Sequence, residues 1–448
     1  MATLKSIKSG ALSRGFALAK VSMAAGAKAA THAVGSVLGN DSEEAAAERF
    51  KEMMTSQMAL LSRELGKLKG SVMKAGQMLS MVGEHVLPPE ANQMLKSLQS
   101  ESPPLEWPAV EKVLRRQLGA EKLAGLEIDP QPFGSASLGQ VHRATDKATG
   151  QSLAVKIQYP GVDQAIESDL KALRSLLQFS KLIPKGPKYD ELFREVKEML
   201  HQEVDYAGEL KSTDEFRKLF ADDPRVIVPQ TIAQYSTRRI LVTSFEEGLS
   251  LEDPRVLALP QDRRNAIGRL FLEVYFRELL EFGRLQTDPH FGNYRIRLGQ
   301  TAEEDRLICL DFGAVRTFSP EFLKPYFVML RGAMYQDRDG VEQGALELGF
   351  LEKGDSEELR KKFFDLCLLF TEPFDPQNQP YDWGKSDLPK RVIKAGSEIA
   401  WGFRLRVPPR ETLFLDRKMG GVFVVMSVLK MRADCRDLLE KYMARARY

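Results

Sequence analysis

Cysteine is nearly absent from the chain: Cys309, Cys367 and Cys435 are the only three in 448 residues. They lie too far apart for a CxxC metal site and are too few for a disulfide framework, which points to a reducing compartment and to packed or idle thiols. Histidine is scarce as well, at five residues. None of His32, His85, His142 and His201 stands at a ligand spacing from His290, so no zinc site is read. Long apolar runs are also missing, and the best of them, GGVFVVMSVL at 420–429, falls short of the roughly 18 residues needed to cross a bilayer. No charge dominates either: 64 basic against 62 acidic residues leave a net +2, so no global field argues for nucleic acid as a partner.

One absence is local. No acidic residue precedes Asp41, whereas Lys5, Lys8, Arg14, Lys20 and Lys28 all fall before it. This basic segment, 1–41, is open to three readings: a targeting peptide, a frayed tail, or a surface-lying helix with Leu4, Ile7, Ala11 and Leu18 along one stripe. The rest of the chain, with 43% apolar and 28% charged residues overall, has the composition of an ordinary globular protein. Its length exceeds what one core needs, so two lobes are expected.

Beyond the basic segment, residues 42–125 read as a helical unit. DSEE supplies a cap signal, and Met58, Leu61, Leu65, Leu68, Val72 and Leu79 follow with helical spacing. VLPPE breaks that pattern, ANQMLKSLQ starts another helix, and WPAVEKVLRRQLG opens a third with proline in its first turn. The pattern changes at residues 126–247. LGQVHRA and SLAVKIQ, joined by DKATG, read as a β-hairpin whose entrance is the small-residue loop Gly134, Ser135, Ala136 and Ser137. Such a loop is ordinarily a tight turn, but its unpaired N–H groups are also able to cradle phosphates.

Lys156 sharpens that alternative. Strand alternation puts Ala154 and Lys156 on one face and Val155 and Ile157 on the other. A strand lysine is ordinarily a solvated edge residue; the competing role is a charge held over nucleotide phosphates. A long helical stretch, 190–220, carries Glu203, Asp205 and Glu209, with Asp205 and Glu209 at i and i+4 on a shared face. Beside a buried lysine, one of these carboxylates would serve as its ion-pair partner. RRILVTSFEEG reads as a buried strand leading into a polar connection, after which residues 248–448 are mainly helical.

The exception is TDPHFGN, residues 287–293, followed by the strand YRIRL, a polar loop and RLICLDFG. This hairpin delivers Asp288, Asn293 and Asp311 to one end. Two carboxylates and an amide oxygen are the hard ligands that Mg2+ favours when it also keeps water and phosphate oxygens.

Asp288, Asn293 and the DFG at 311–313 resemble the catalytic loop and metal motif of the protein-kinase-like fold, with Lys156 in place of the strand-three lysine. KAGQ at 74–77, SASLGQVHRA at 135–144, AVKIQYPGV at 154–162, EVDYAGE at 203–209, DPHFGN and DFG occur in the order found in the UbiB (AarF-related) atypical kinases. The resemblance implies an α+β, two-lobed kinase-like fold with an N-terminal helical extension and a mainly helical C-lobe. It implies ATP and Mg2+ as cofactors, and support of ubiquinone biosynthesis or lipid homeostasis at a membrane surface. The partners it implies are an isoprenoid quinone or other lipid and quinone-biosynthesis enzymes.

By the same resemblance Lys156 would touch the phosphates and pair with Glu209. Asn293 and Asp311 would hold the metal, and Asp288 would be the acid–base or water-orienting group. Gly134 to Ser137 would cover the phosphates, and Ser244 and Phe245 would offer backbone to the adenine. Lys74 and Gln77 would face the nucleotide pocket, with Lys74 near Glu203 of the ExD pair Glu203 and Asp205. The chain departs from the pattern in places: the loop is Gly-Ser where the family is Ala-rich, Gln286 and Thr287 replace the His and Arg of protein kinases, and no APE follows DFG. The implied location is peripheral to a membrane, in the cytoplasm of a bacterium or in the mitochondrial matrix. Two other readings stand beside this one, a small-molecule kinase of the aminoglycoside- or choline-kinase type and a nucleotide-stabilised module that binds lipid or protein.

Overall fold

The computed structural model describes residues 71–83, 87–97, 104–136, 138–179, 182–402 and 409–446. The basic segment 1–41, most of the helix expected over 42–82, and Ser137 lie outside the described residues. The chain divides into two compact units, one made of residues up to Leu210 with Thr231–Phe245, the other of Lys211–Gln230 and Glu246 onward.

In the first unit α1 (Ser71–Val82) buries Val72, Ala75, Met78 and Leu79 along one stripe. It is followed by α2 (Pro89–Ser97) and α3 (Trp107–Ala124), the last with Pro108 in its first turn and a break in helical geometry at Gly119, φ 77°. A four-stranded antiparallel sheet follows, with β1 (Leu126–Ala136), β2 (Gly139–Asp146) and β3 (Ser152–Gln158) in sequence. Strand β1 is not anticipated by the sequence. Pro130 and Pro132 withhold ladder donors, and the register slips on either side of Pro132, so the strand carries no clean alternation to read. The small-residue run Gly134 to Ala136 is therefore the end of a strand, paired with Val141, Gln140 and Gly139, instead of an entrance loop.

Helices α4 (Val162–Phe179) and α5 (Pro187–Glu203) pack against α1. The single helix expected over 190–220 is two helices. Val204 leaves helical geometry at φ −98°, ψ 0°, and α6 (Tyr206–Leu219) starts afresh. Past β4 (Val226–Ile227), which belongs to the second unit, β5 (Ile240–Ser244) completes the sheet in the order β1-β2-β3-β5. On β3 Leu153, Val155 and Ile157 are buried while Ala154 and Lys156 stay half-exposed, as the alternation requires.

The second unit is mainly helical. Helices α7 (Pro254–Leu257) and α8 (Gln261–Phe276) lead into a π turn, Arg277–Glu281. Strands β6 (Arg284–Gln286), β7 (Tyr294–Arg297), β8 (Arg306–Cys309) and β9 (Val315–Thr317) come next. The expected hairpin is β7 with β8; β4 adds in parallel to β8, and β6 pairs with β9. The remaining elements are α9 (Pro320–Met334), α10 (Arg338–Glu347), α11 (Glu357–Thr371), β10 (Tyr381–Asp382), α12 (Leu388–Gly402), α13 (Arg410–Val428), β11 (Arg432–Ala433) and α14 (Arg436–Arg445). The apolar run at 420–429 belongs largely to α13, whose Val422, Val425 and Met426 enter the core beside Phe271, Leu285 and Phe312. No helix among the described residues is long and apolar enough to cross a membrane. All three cysteines are buried, and burial pushes the Cys367 and Cys435 thiols up to about 12, so they remain protonated.

Candidate functional site

In the first unit Lys156 sits mid-strand between Val141 and Leu241. Its ammonium donates to both carboxylate oxygens of Glu209, at 2.7 and 2.9 Å, with the two side chains 18% and 3% exposed. A pair this dry persists only with near-ideal geometry, and here the partner is supplied by the first turn of α6. The Tyr206 ring lies 5.1 Å from the same ammonium, and its hydroxyl, together with the Ile157 carbonyl, accounts for the glycine in SASLGQVHRA. A Cβ at Gly139 would collide with the Ile157 carbonyl and sit 2.8 Å from the Tyr206 Oη. Gly134 is under no such constraint: a Cβ there would meet only Val141, at 3.9 Å, so alanine fits equally well.

The three acidic residues of EVDYAGE take separate roles. Glu203 pairs with Lys74 of α1 at 3.2 Å. Glu209 is buried on Lys156, whereas Asp205 is exposed and caps α6 by accepting from the Gly208 N–H at 3.1 Å. The shared face expected for Asp205 and Glu209 does not form, because the helix breaks at Val204 and leaves Asp205 outside the next one. On α1 Lys74 is half-buried and Gln77 exposed. At the end of β5 the Phe245 N–H donates to the Ser152 carbonyl at 2.9 Å, so that donor closes the sheet and is not free to meet a base.

In the second unit two strand pairings assemble the polar loop. Tyr294 lies opposite Cys309, and the Leu310 N–H donates to the Asn293 carbonyl at 2.8 Å, which sets Asn293 beside the start of the DFG segment. Gln286 lies opposite Val315, and the Thr287 N–H and hydroxyl both donate to the Ala314 carbonyl, at 2.9 and 2.8 Å, tying the Asp288 loop to the other side of DFG. Asn293 Nδ2 donates to the Asp288 Oδ2 and to its carbonyl, each at 3.1 Å, so the amide presents its oxygen as the acceptor. Asp311 accepts from the Gly313 N–H at 2.9 Å, and Phe312 is buried against Phe216 with centroids 4.6 Å apart. His290 acts locally, since its Nδ1 accepts from the Gly292 N–H at 2.9 Å and caps the turn that ends in Asn293.

The sequence does not announce that α13 supplies side chains to this loop. Arg417 on α13 donates to the Asp288 Oδ1 at 2.7 Å. The neighbouring Lys418, 2% exposed, donates to the Tyr294 hydroxyl at 2.6 Å and to the Gln286 Oε1 at 3.1 Å, with Glu278 3.8 Å away. Burial pushes the Glu278 carboxyl up to about 7 and the Lys418 ammonium down. Gly421, one turn on, has its Cα hydrogen side against Pro289, where any Cβ would clash.

A strand lysine held by a helix glutamate in the first unit, and a DFG hairpin beside an Asp…Asn loop in the second, are the features of an atypical kinase-like enzyme. Residues 97–345 match the ABC1 atypical kinase-like domain. The chain is 32% identical to Atypical kinase COQ8, mitochondrial, of Saccharomyces cerevisiae, over 87% of this chain and 76% of that one. It is 34% identical to Atypical kinase COQ8B, mitochondrial, of Rattus norvegicus, over 83% of this chain and 69% of that one. A solved structure, that of Rv3197 from Mycobacterium tuberculosis in complex with erythromycin, superposes with a TM-score of 0.60 at 26% identity, covering 90% of this chain and 98% of that one. The chain belongs to the ABC1 (UbiB) family of atypical kinases, as its ordered motifs imply.

Proposed function

We propose that the chain binds ATP with Mg2+ and turns it over as an atypical kinase or ATPase that supports isoprenoid-quinone, that is ubiquinone, biosynthesis or lipid homeostasis at a membrane surface. The observation that carries this reading is the Lys156–Glu209 pair, a part-buried ammonium held by both oxygens of one buried carboxylate. That arrangement fixes a point charge of the kind that binds phosphates. Asn293 and Asp311 fit magnesium by donor chemistry, since both offer oxygen and neither nitrogen nor sulfur is presented with them. In this reading magnesium–ATP, when bound, supplies the transferable phosphoryl group and neutralises charge that develops on it. Asp288 would orient the attacking hydroxyl or water, and the Arg417 guanidinium beside it holds that carboxylate in one rotamer. Lys74, tied to Glu203, would tune turnover rather than binding.

The names of the yeast and rat relatives place those proteins in mitochondria. For this chain the proposed location is peripheral to a membrane, in a bacterial cytoplasm or a mitochondrial matrix, with a quinone intermediate or its biosynthetic enzymes as partners. Titration with a fluorescent ATP analogue tests the nucleotide part. Affinity is expected to rise with Mg2+ in the wild type and to lose that dependence in Asp311→Asn. Equal Mg2+ dependence in both would remove Asp311 from the metal site.

A further inference from the structure

The segment that carries Asp288 and Asn293 begins after Gln286 and ends before Tyr294, and both of those flanking side chains converge on one buried ammonium. Lys418 donates to the Tyr294 Oη at 2.6 Å and to the Gln286 Oε1 at 3.1 Å, and the Tyr294 hydroxyl also donates to Gln286 at 3.2 Å. The Gln286 N–H donates in turn to Glu278 at 3.2 Å, and Glu278 stands 3.8 Å from Lys418. Glu278 itself comes from a π turn, a geometry that recurs where a helix is bent to serve a site.

A buried lysine facing a buried glutamate is weak as a stabilising device, because desolvating both charges offsets their attraction; apolar residues of the same size often serve stability as well. What the ammonium does specify is position, through directional bonds to both ends of one short loop. We propose that Lys418 is a positioning residue for the phosphoryl-transfer loop: it pins Gln286 and Tyr294 and thereby sets the 3.1 Å relation between Asp288 and Asn293. The proposal rests on the Mg2+–ATP reading above. Lys418 does not touch the reacting atoms, and it acts through the loop it closes.

The test is steady-state Mg2+–ATP hydrolysis by wild type, Lys418→Met, Tyr294→Phe and Asp288→Asn, together with Asp288→Asn combined with each of the first two. Displacing a reacting group by about 1 Å costs up to about 10²-fold in rate. Lys418→Met is therefore expected to lower kcat at least about tenfold while the KM for Mg2+–ATP stays within about twofold. In the Asp288→Asn background the same change is expected to leave the residual rate where it was, because the group being positioned is already gone. Equal fractional losses in the two backgrounds, or a normal kcat in Lys418→Met, would overturn the proposal. If Lys418→Met does not fold, Tyr294→Phe, which keeps the ring and removes the oxygen, is subject to the same two criteria. A wild type without Mg2+–ATP turnover would overturn the functional reading and this inference with it; an active wild type with an active variant would overturn the inference alone.

Discussion

Lys156 cannot be neutralised without stranding Glu209, whose side chain is 3% exposed. Lys156→Met is thus expected to lower stability by about 3 kcal/mol as well as to weaken ATP binding, since a single buried charge is left unpaired. Adding Glu209→Gln is expected to restore most of the melting temperature and none of the affinity, which separates packing from phosphate binding. A double variant as unstable as the single one would show that the loss has another origin. At this scale the sequence is informative where chemistry is concentrated in a few neighbours. Alternation places Lys156 on one face of its strand but leaves a solvated edge residue as the ordinary reading, so its role comes from the family resemblance, whereas Asp288, Asn293 and Asp311 are legible because polar groups end two adjacent strands. Arg417 and Lys418 are illegible for the opposite reason: Arg417 meets Asp288 from 129 positions downstream, on a helix whose apolar pattern reads simply as core.

Elements lock through single close approaches and satisfied polar groups. Strand β2 is fixed to the chain before α3 by Gln140, whose Oε1 accepts from the Leu105 N–H at 2.8 Å, and whose Nε2 lies 2.8 Å from the His142 Nε2. With Gln140 donating, His142 keeps its proton on Nδ1, facing the Asp129 carbonyl at 2.7 Å. Burial lowers the His142 pKa from 6.5, against the opposing pull of Asp129, because a second ring proton would have no acceptor. The unfolded chain then binds the extra proton more readily than the folded one, so this contribution to stability is present above 6.5 and is lost as pH falls through the depressed folded value. Urea unfolding between about pH 7 and 5 is expected to show that loss in the wild type and a flatter profile in His142→Gln; parallel profiles would contradict the assignment. Gly421→Ala is a second probe at this scale. The new methyl group meets Pro289, so a cost of about 1–3 kcal/mol and a displaced Asp288 loop are expected. Unchanged melting and turnover would mean that α13 does not abut the loop. Strand β1 is hidden in the sequence because its prolines interrupt the alternation, and the Val204 break because the helical pattern of 190–220 runs on through it.

For the whole molecule, the α+β character and the kinase-like family follow from six motifs in fixed order and two lobes from length, while the course of the boundary between the units does not. Residues 211–230 join the helical second unit although the strand β5 comes after them, a consequence of packing that no local pattern announces. The basic segment 1–41 keeps its three readings. Its removal is expected to reduce sedimentation with anionic liposomes if it lies on the membrane, since lysine attraction and apolar burial act together there. Equal sedimentation would return it to a targeting peptide or a tail.

The decisive experiment is Mg2+-dependent ATP hydrolysis by the purified chain, with and without anionic liposomes, beside Asp311→Asn. Turnover that needs Mg2+, rises with liposomes and disappears in the variant is the predicted result. Hydrolysis that persists in Asp311→Asn, or its absence from the wild type under both conditions, would contradict an enzyme built on Lys156, Asp288, Asn293 and Asp311.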